Sequence, residues 1–277
     1  MISDSSPGFG GMGLRADILD TLERIGYREP SPIQAAFIPK ALRGVDVIGQ
    51  AQTGTGKTAS FLLPILERLK SDRVPQALIL GPTRELVAQV HEEARRLVGN
   101  MGIKLSCIYG GEGFQRQINE LHSGAQIVVG TPGRIIDMIR RQHLKLNQIT
   151  TVVLDEADRM LDIGFRPDIE RILRSTPKER QTLLLSATMV EAVQKLAHRY
   201  MVEPEMVDLS NRARAGKLAP DELKGSTFSI TSMGNIGGLF ATPIINYPEV
   251  GILAAGRVYD AVLVRDGQAV IGKLMPL

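Results

Sequence analysis

"VDVIGQAQTGTGKTASFLLPILERLK", residues 45–70, decides the fold of this chain. A strand pattern, "VDVIGQ", runs into the turn "AQTGTG", and a helix pattern opens with Lys57 and Thr58. Gly54 and Gly56 let the backbone curl so that the N–H groups of Gln52, Thr53 and Thr55 converge. The new helix adds the positive end of its dipole, Lys57 a point charge and Thr58 a hydroxyl, a set suited to phosphate and Mg²⁺. The general phosphate-loop pattern begins with glycine, and here that place is taken by Ala51.

Working outward, the same alternation recurs. Strand patterns "QALILGP", "LSCIYGG", "AQIVVGT", "TVVLDEAD" and "TLLLSAT" are separated by helix patterns such as "RELVAQVHEEARRLV", "GRIIDMIRR" and "VEAVQKLAHRYM". Short strands apolar on both faces, spaced by amphipathic helices, predict an α/β fold with a parallel sheet covered on both sides. Ligands bind such sheets at the carboxyl ends of the strands. "VVLDEAD" ends one strand there in acid: Asp155 can hold Mg²⁺ with Thr58, and Glu156 can orient or deprotonate a water.

Composition narrows the class. The 277 residues carry a net charge of +3, with 43% hydrophobic and 4% aromatic residues, which permits a nucleic-acid partner without demanding one. The single cysteine, Cys107, excludes an internal disulfide, and its apolar run "LSCIYG" reads as a buried strand. His91, His122, His143 and His198 are scattered and read as surface or helix-edge residues. No apolar run approaches the roughly 18 to 20 residues that span a bilayer, so the expected location is cytoplasmic, with no membrane partner.

"AQTGTGKT" (51–58), "PTREL" (82–86), "GG" (110–111), "TPGR" (131–134), "DEAD" (155–158) and "SAT" (186–188) stand in an order and spacing that resemble the DEAD-box ATP-dependent RNA helicases. "GYREPSPIQ" (26–34) looks like that family's adenine-reading segment, with Phe9 at its upstream aromatic place, and Ala51 is what the family has there. The resemblance covers about residues 9–209. It implies a P-loop, RecA-like domain (1–210) that binds ATP or ADP with Mg²⁺. Gln34, Tyr27 and Phe9 would hold the base, Arg84, Gly111, Thr131, Gly133 and Arg134 one RNA strand without regard to sequence, and Ser186 and Thr188 would couple the two. It makes Lys57, Asp155 and Glu156 the catalytic set.

After about residue 212 the pattern changes. "TFSITSM" alternates as a strand, and "GILAAGRVYDAVLVRDGQAVIGKLM" reads as strands joined by a hairpin at "RDGQ". "GKLAPDELKGSTFSI", "GNIGG", "TPIINYPEVGIL" and "VRDGQ" resemble the catalytic domain of dihydrolipoamide acyltransferases of 2-oxo acid dehydrogenase complexes. That family would place an oxyanion-steadying hydroxyl near Thr231 or Ser232 and a histidine base downstream, and no histidine follows His198. The expectation is a partial, β-rich segment (211–277) without acyl transfer, joined at a seam near Asn211. Its exposed strand edges make self-association an expected property, and an assembly protein with a vestigial nucleotide site is the alternative reading. The helicase family's second domain, with its "HRxGRxxR" pattern and arginine finger, is not recognised after the seam. These residues alone are therefore expected to bind nucleotide, to hold RNA weakly, and to turn ATP over near background.

Overall fold

The computed structural model describes residues 8–51 and 55–208, and the backbone of 228–232, 251–255, 259–265 and 268–274. The chain divides into two compact units, Met1–Lys217 and Leu218–Leu277. The expected seam near Asn211 lies outside the described residues.

The first unit is built on seven strands: β1 (Val47–Gln50), β2 (Ala77–Leu80), β3 (Leu105–Ile108), β4 (Ile127–Gly130), β5 (Thr151–Leu154), β6 (Gln181–Ser186) and β7 (Glu205–Asp208). Every pairing is parallel and the order is β3-β4-β2-β5-β6-β1-β7. Alternation along each strand divides the core into two layers. Val47, Ile79, Val129, Val153, Leu183 and Leu185 face one cluster, while Ile48, Leu78, Leu80, Val128, Leu154 and Leu184 face the other. The first cluster is closed by α1 (Ala16–Arg24), α2 (Pro32–Leu42), α3 (Lys57–Arg68) and α4 (Arg84–Val98). The second is closed by α5 (Phe114–His122), α6 (Pro132–Arg140), α7 (Ala157–Asp162), α8 (Arg166–Ser175) and α9 (Glu191–Tyr200). This is the α/β, RecA-like sheet with helices on both faces that the sequence predicts.

Buried amides close the amino ends of the strands. Gln181 Nε2 donates to the carbonyls of Ala41 and Val45 at 2.8 and 2.7 Å, and Gln76 Nε2 to those of Lys70 and Asp72 at 3.0 and 2.8 Å. A buried amide left unpaired would cost about 1–3 kcal/mol, so these bonds hold the loops in place. No helix among the described residues is long and apolar enough to cross a membrane.

In the second unit, β8 (Phe228–Ser232) pairs in parallel with β9 (Gly251–Ala255). β10 (Tyr259–Arg265) pairs antiparallel with β11 (Gln268–Leu274), and Arg265 is paired with Gln268, the two ends of the predicted hairpin segment "RDGQ". Thr231 and Ser232 fall in β8.

Candidate functional site

The motif-bearing turns all follow strand carboxyl ends, and the strand order sorts them into two neighbourhoods. β5, β6 and β1 are adjacent and bring together Asp155, Ser186 and the loop leading to Lys57. β3, β4 and β2 are adjacent and bring together Gly111, Thr131 and Arg84.

In the first neighbourhood the base of the loop is fixed by the Ala51 N–H, which donates to the Ser186 carbonyl at 3.1 Å. Gly56 caps α3 at φ 92°, and a Cβ there would lie 2.7 Å from Gln34 Nε2 and 2.8 Å from Ser31 Oγ. Both conformation and space therefore require glycine. Lys57 is 6% exposed and Asp155 3%, and among the described residues neither the Lys57 Nζ nor the Asp155 Oδ1 has a hydrogen-bond partner. Both residues line one cavity of about 350 Å³ with Tyr27, Thr58 and Glu156. Burial pushes the Asp155 carboxyl up to about 6, opposed by the Lys57 charge and assisted by that of Glu156. Glu156 caps α7 in the left-handed region, φ 52°, and its Oε2 accepts from Arg159 Nη1 at 3.2 Å. Gln52, Thr53 and Gly54 lie outside the described residues.

Gln34 is buried and already bonded. Its Oε1 accepts from the Ser31 N–H at 2.8 Å as a capping box for α2, and its Nε2 donates to the Gly56 carbonyl at 3.1 Å. Ser31 Oγ adds a bond to the Thr55 carbonyl at 2.9 Å, so α2 and the loop are stitched at two points. Tyr27 lines the cavity, and its hydroxyl donates to Glu93 Oε1 at 2.5 Å; burial first, then that bond, pushes the phenol above its usual range. Phe9 is 4% exposed and packs its ring 6.2 Å from that of Tyr27, supporting it from the core side.

Ser186 and Thr188 meet a residue to which sequence reasoning gave no role, Asp158. The Thr188 N–H and Oγ1 both donate to Asp158 Oδ2, at 2.9 and 2.8 Å. Ser186 Oγ accepts from the Asp158 N–H at 3.3 Å and donates to the Thr188 carbonyl at 2.7 Å. Burial raises the Asp158 carboxyl, but the Thr188 and Ser186 bonds outweigh it and hold it below its ordinary value. The fourth letter of "DEAD" was the available signal, since an acid opposite a Ser/Thr turn invites this pairing.

In the second neighbourhood Thr83 caps α4, accepting from the Leu86 N–H at 3.3 Å, and Arg84 follows it. Arg84 Nη2 lies 3.5 Å from Glu112 Oε1, and its Cζ 5.0 Å from the centre of the Tyr109 ring. Gly111, at φ 85°, sits against Arg84. Thr131 opens α6, Gly133 leaves open space, and Arg134 donates to Gln117 Oε1 and to the Glu112 carbonyl at 3.3 and 3.1 Å. Sequence reasoning missed Glu112, Gln117 and Phe114, whose ring centre lies 4.4 Å from the Arg134 guanidinium. Cys107 is half-buried in β3, and burial pushes its thiol up to about 12, which leaves no thiolate at neutral pH. His122 and His143, far apart in sequence, stand 5.9 Å apart.

The DEAD/DEAH box helicase family model matches residues 31–196. A second model, 2-oxoacid dehydrogenases acyltransferase (catalytic domain), matches residues 184–277, the first part of which holds the end of β6, α9 and β7 of the first unit. The chain is 51% identical over 203 residues to the DEAD-box ATP-dependent RNA helicase CshA of Streptococcus pneumoniae serotype 4, covering 73% of this chain and 39% of that protein. It is 50% identical over 200 residues to that of Geobacillus kaustophilus, covering 72% and 43%. The chain thus spans about two fifths of the length of these relatives. The crystal structure of a DEAD box protein from the hyperthermophile Methanococcus jannaschii superposes with a TM-score of 0.73 at 38% identity, covering 81% of this chain and 59% of that one. With its family match spanning more than half its length, the chain belongs to the DEAD/DEAH box helicases.

Proposed function

We propose that residues 1–210 bind an adenine nucleotide with Mg²⁺ and contact a single RNA strand through its phosphates, without reading its sequence. One observation carries the nucleotide reading: the buried ammonium of Lys57 and the buried Oδ1 of Asp155 line one cavity, and neither atom has a hydrogen-bond partner among the described residues. An unmatched buried cation and anion oxygen are expensive unless a ligand completes them, and a phosphate beside a divalent cation supplies both complements. Lys57 would take the phosphate oxygens, and Thr58 and Asp155 would hold Mg²⁺. Bound there, Mg²⁺ would neutralise charge on the phosphates. Glu156, whose carboxylate accepts from Arg159, would orient a water and accept its proton.

Gln34 supports adenine over guanine. It uses one of two carbonyl lone pairs on Ser31 and one of two N–H donors on Gly56, leaving one acceptor and one donor unused among the described residues. That remaining pair complements N6 and N7 of adenine, while Tyr27 and Phe9 supply apolar surface. On the other half, Arg84, Gly111, Thr131, Gly133 and Arg134 offer guanidinium, hydroxyl and turn backbone to successive phosphates. The Asp158, Ser186 and Thr188 bonds tie the acidic strand end to the strand beside the loop.

ATP turnover by these 277 residues alone is expected near background, because no arginine-finger pattern follows α9 in them. A cytoplasmic location is part of the same reading. For residues 211–277, part of the acyltransferase match, a second role is self-association through the edges of the two-stranded β8–β9 and β10–β11 sheets, without acyl transfer. Calorimetry with ADP·Mg²⁺ and GDP·Mg²⁺ tests the proposal: ADP should bind at least about tenfold more tightly, and Gln34→Ala should erase the difference. Absence of ADP binding would sink the nucleotide reading. RNA-stimulated turnover abolished by Lys57→Ala would overturn the near-background expectation.

A further inference from the structure

We infer that the surface running from α5 to the turn after α6 carries a second RNA contact, a groove that receives the strand after it leaves Arg134. The inference rests on the RNA reading above and extends it to residues that no motif names.

The groove lies by the amino ends of β2, β4 and β5 and encloses about 590 Å³. Arg73, Lys145, His122, His143 and the amides of Gln142 and Gln148 line it, and its lining contains no carboxylate. Two fixed cations with hydrogen-bonding side chains and no acid make a site for a polyanion with polar edges, the chemistry of an RNA strand. Arg73, Arg141 and Lys145 form no salt bridge among the described residues, whereas Arg84 is paired with Glu112. They are therefore available to an anion without first giving up a partner.

A continuous path joins the groove to the first contact. The Phe114 ring is held between two guanidiniums, Arg134 at 4.4 Å and Arg141 at 4.7 Å. His143 stands edge-on to Phe114 at 5.8 Å, and His122 lies 5.9 Å further on. Phe114 and His122 are the two ends of α5, so His143 bridges a distance of about 12 Å along that helix, at 1.5 Å per residue. Gln142 makes the bridge: it takes a left-handed conformation, φ 60°, and lets the His143 N–H return to the Met138 carbonyl at 2.9 Å. A residue other than glycine there costs of order 1 kcal/mol, strain of a kind found at binding sites.

Fluorescence anisotropy of the full chain with labelled U6 and U12 tests the groove. Arg73→Ala with Lys145→Ala, both at exposed places, should weaken U12 about tenfold and change U6 less than twofold. Losing two single-strand phosphate contacts should lower the slope of log K against log salt by about 1.4, at about 0.7 per phosphate. Arg73→Lys with Lys145→Arg, which keeps both charges, should bind U12 as wild type does. U12 binding indifferent to the alanine pair, while Arg134→Ala weakens U6, would overturn the groove and leave the first contact standing. Failure of the wild type to bind either oligomer would overturn both. A 12-residue polyglutamate bound as tightly as U12, and lost with the same pair, would overturn the assignment to RNA.

Discussion

The two halves of the sheet's carboxyl edge handle charge in opposite ways. Under β1 and β5 the ammonium of Lys57 and Oδ1 of Asp155 are buried and lack hydrogen-bond partners among the described residues. Beside β2, β3 and β4 the charges are half-exposed and already satisfied, Arg84 by Glu112 and Arg134 by Gln117 and a carbonyl. A buried, incomplete site gains strongly from its ligand because desolvation has been borne by the fold. A wet, self-paired site gains little, because a phosphate must displace the partner that is there. The proposed RNA contact is thus expected to be weak and salt-sensitive on this domain, and the proposed nucleotide site selective.

The sharpest way to break this contrast is Lys57→Ala. Calorimetry should show ADP·Mg²⁺ affinity lower by about 100-fold, near 3 kcal/mol, with RNA affinity within twofold of wild type. Equal losses in both would mean that the halves are not separate. Next, the raised Asp155 carboxyl ties stability to pH in the nucleotide-free chain. Its folded value of about 6 exceeds the ordinary 3.8, so its contribution is full below pH 4 and is lost as pH rises through 6. The stability difference between wild type and Asp155→Asn should therefore move by about 2–3 kcal/mol in the variant's favour from pH 4 to 7, read by denaturant unfolding. A flat difference would place the carboxyl in water. Gly56→Ala, forced to a positive φ against Gln34, should lower the melting stability by about 1–2 kcal/mol. The smallest effect belongs to the wet half. Glu112→Gln frees Arg84 and should tighten RNA binding about threefold while leaving ADP affinity unchanged, and weaker binding would show that Glu112 does not compete with the phosphate.

Much of this was legible beforehand for physical reasons. Apolar runs such as "ALIL" and "TVVL" carry strand period and burial in the residues themselves, and the phosphate loop announces itself by glycine followed by Lys57 and Thr58. What could not be read were pairings between distant segments. Gln34 looks like a helix-surface amide until the fold sets it against Gly56, 22 residues on. Asp158 gains its role only because β6 lies beside β5, which brings Thr188 to it across 30 residues. Glu112 and Phe114 match no spacing rule, and their meaning depends on β3, β4 and β2 being neighbours. His122 and His143 show the same limit, since a helix and a turn at different places in the chain had to be folded together.

β6 occupies the one place in the sheet that touches both β1 and β5. Strands lie about 4.8 Å apart, so Ser186 stands one strand width from Gln50 at the base of the loop, and Leu184 one from Leu154, the residue before Asp155. Any rearrangement that widens or narrows the space between those flanking strands must shear β6 against at least one neighbour. In the proposed coupling of nucleotide to RNA, residues 186–188 would be the fulcrum of a short lever. A spectroscopic label on Thr188 would register motion on either side without touching the ligand that causes it.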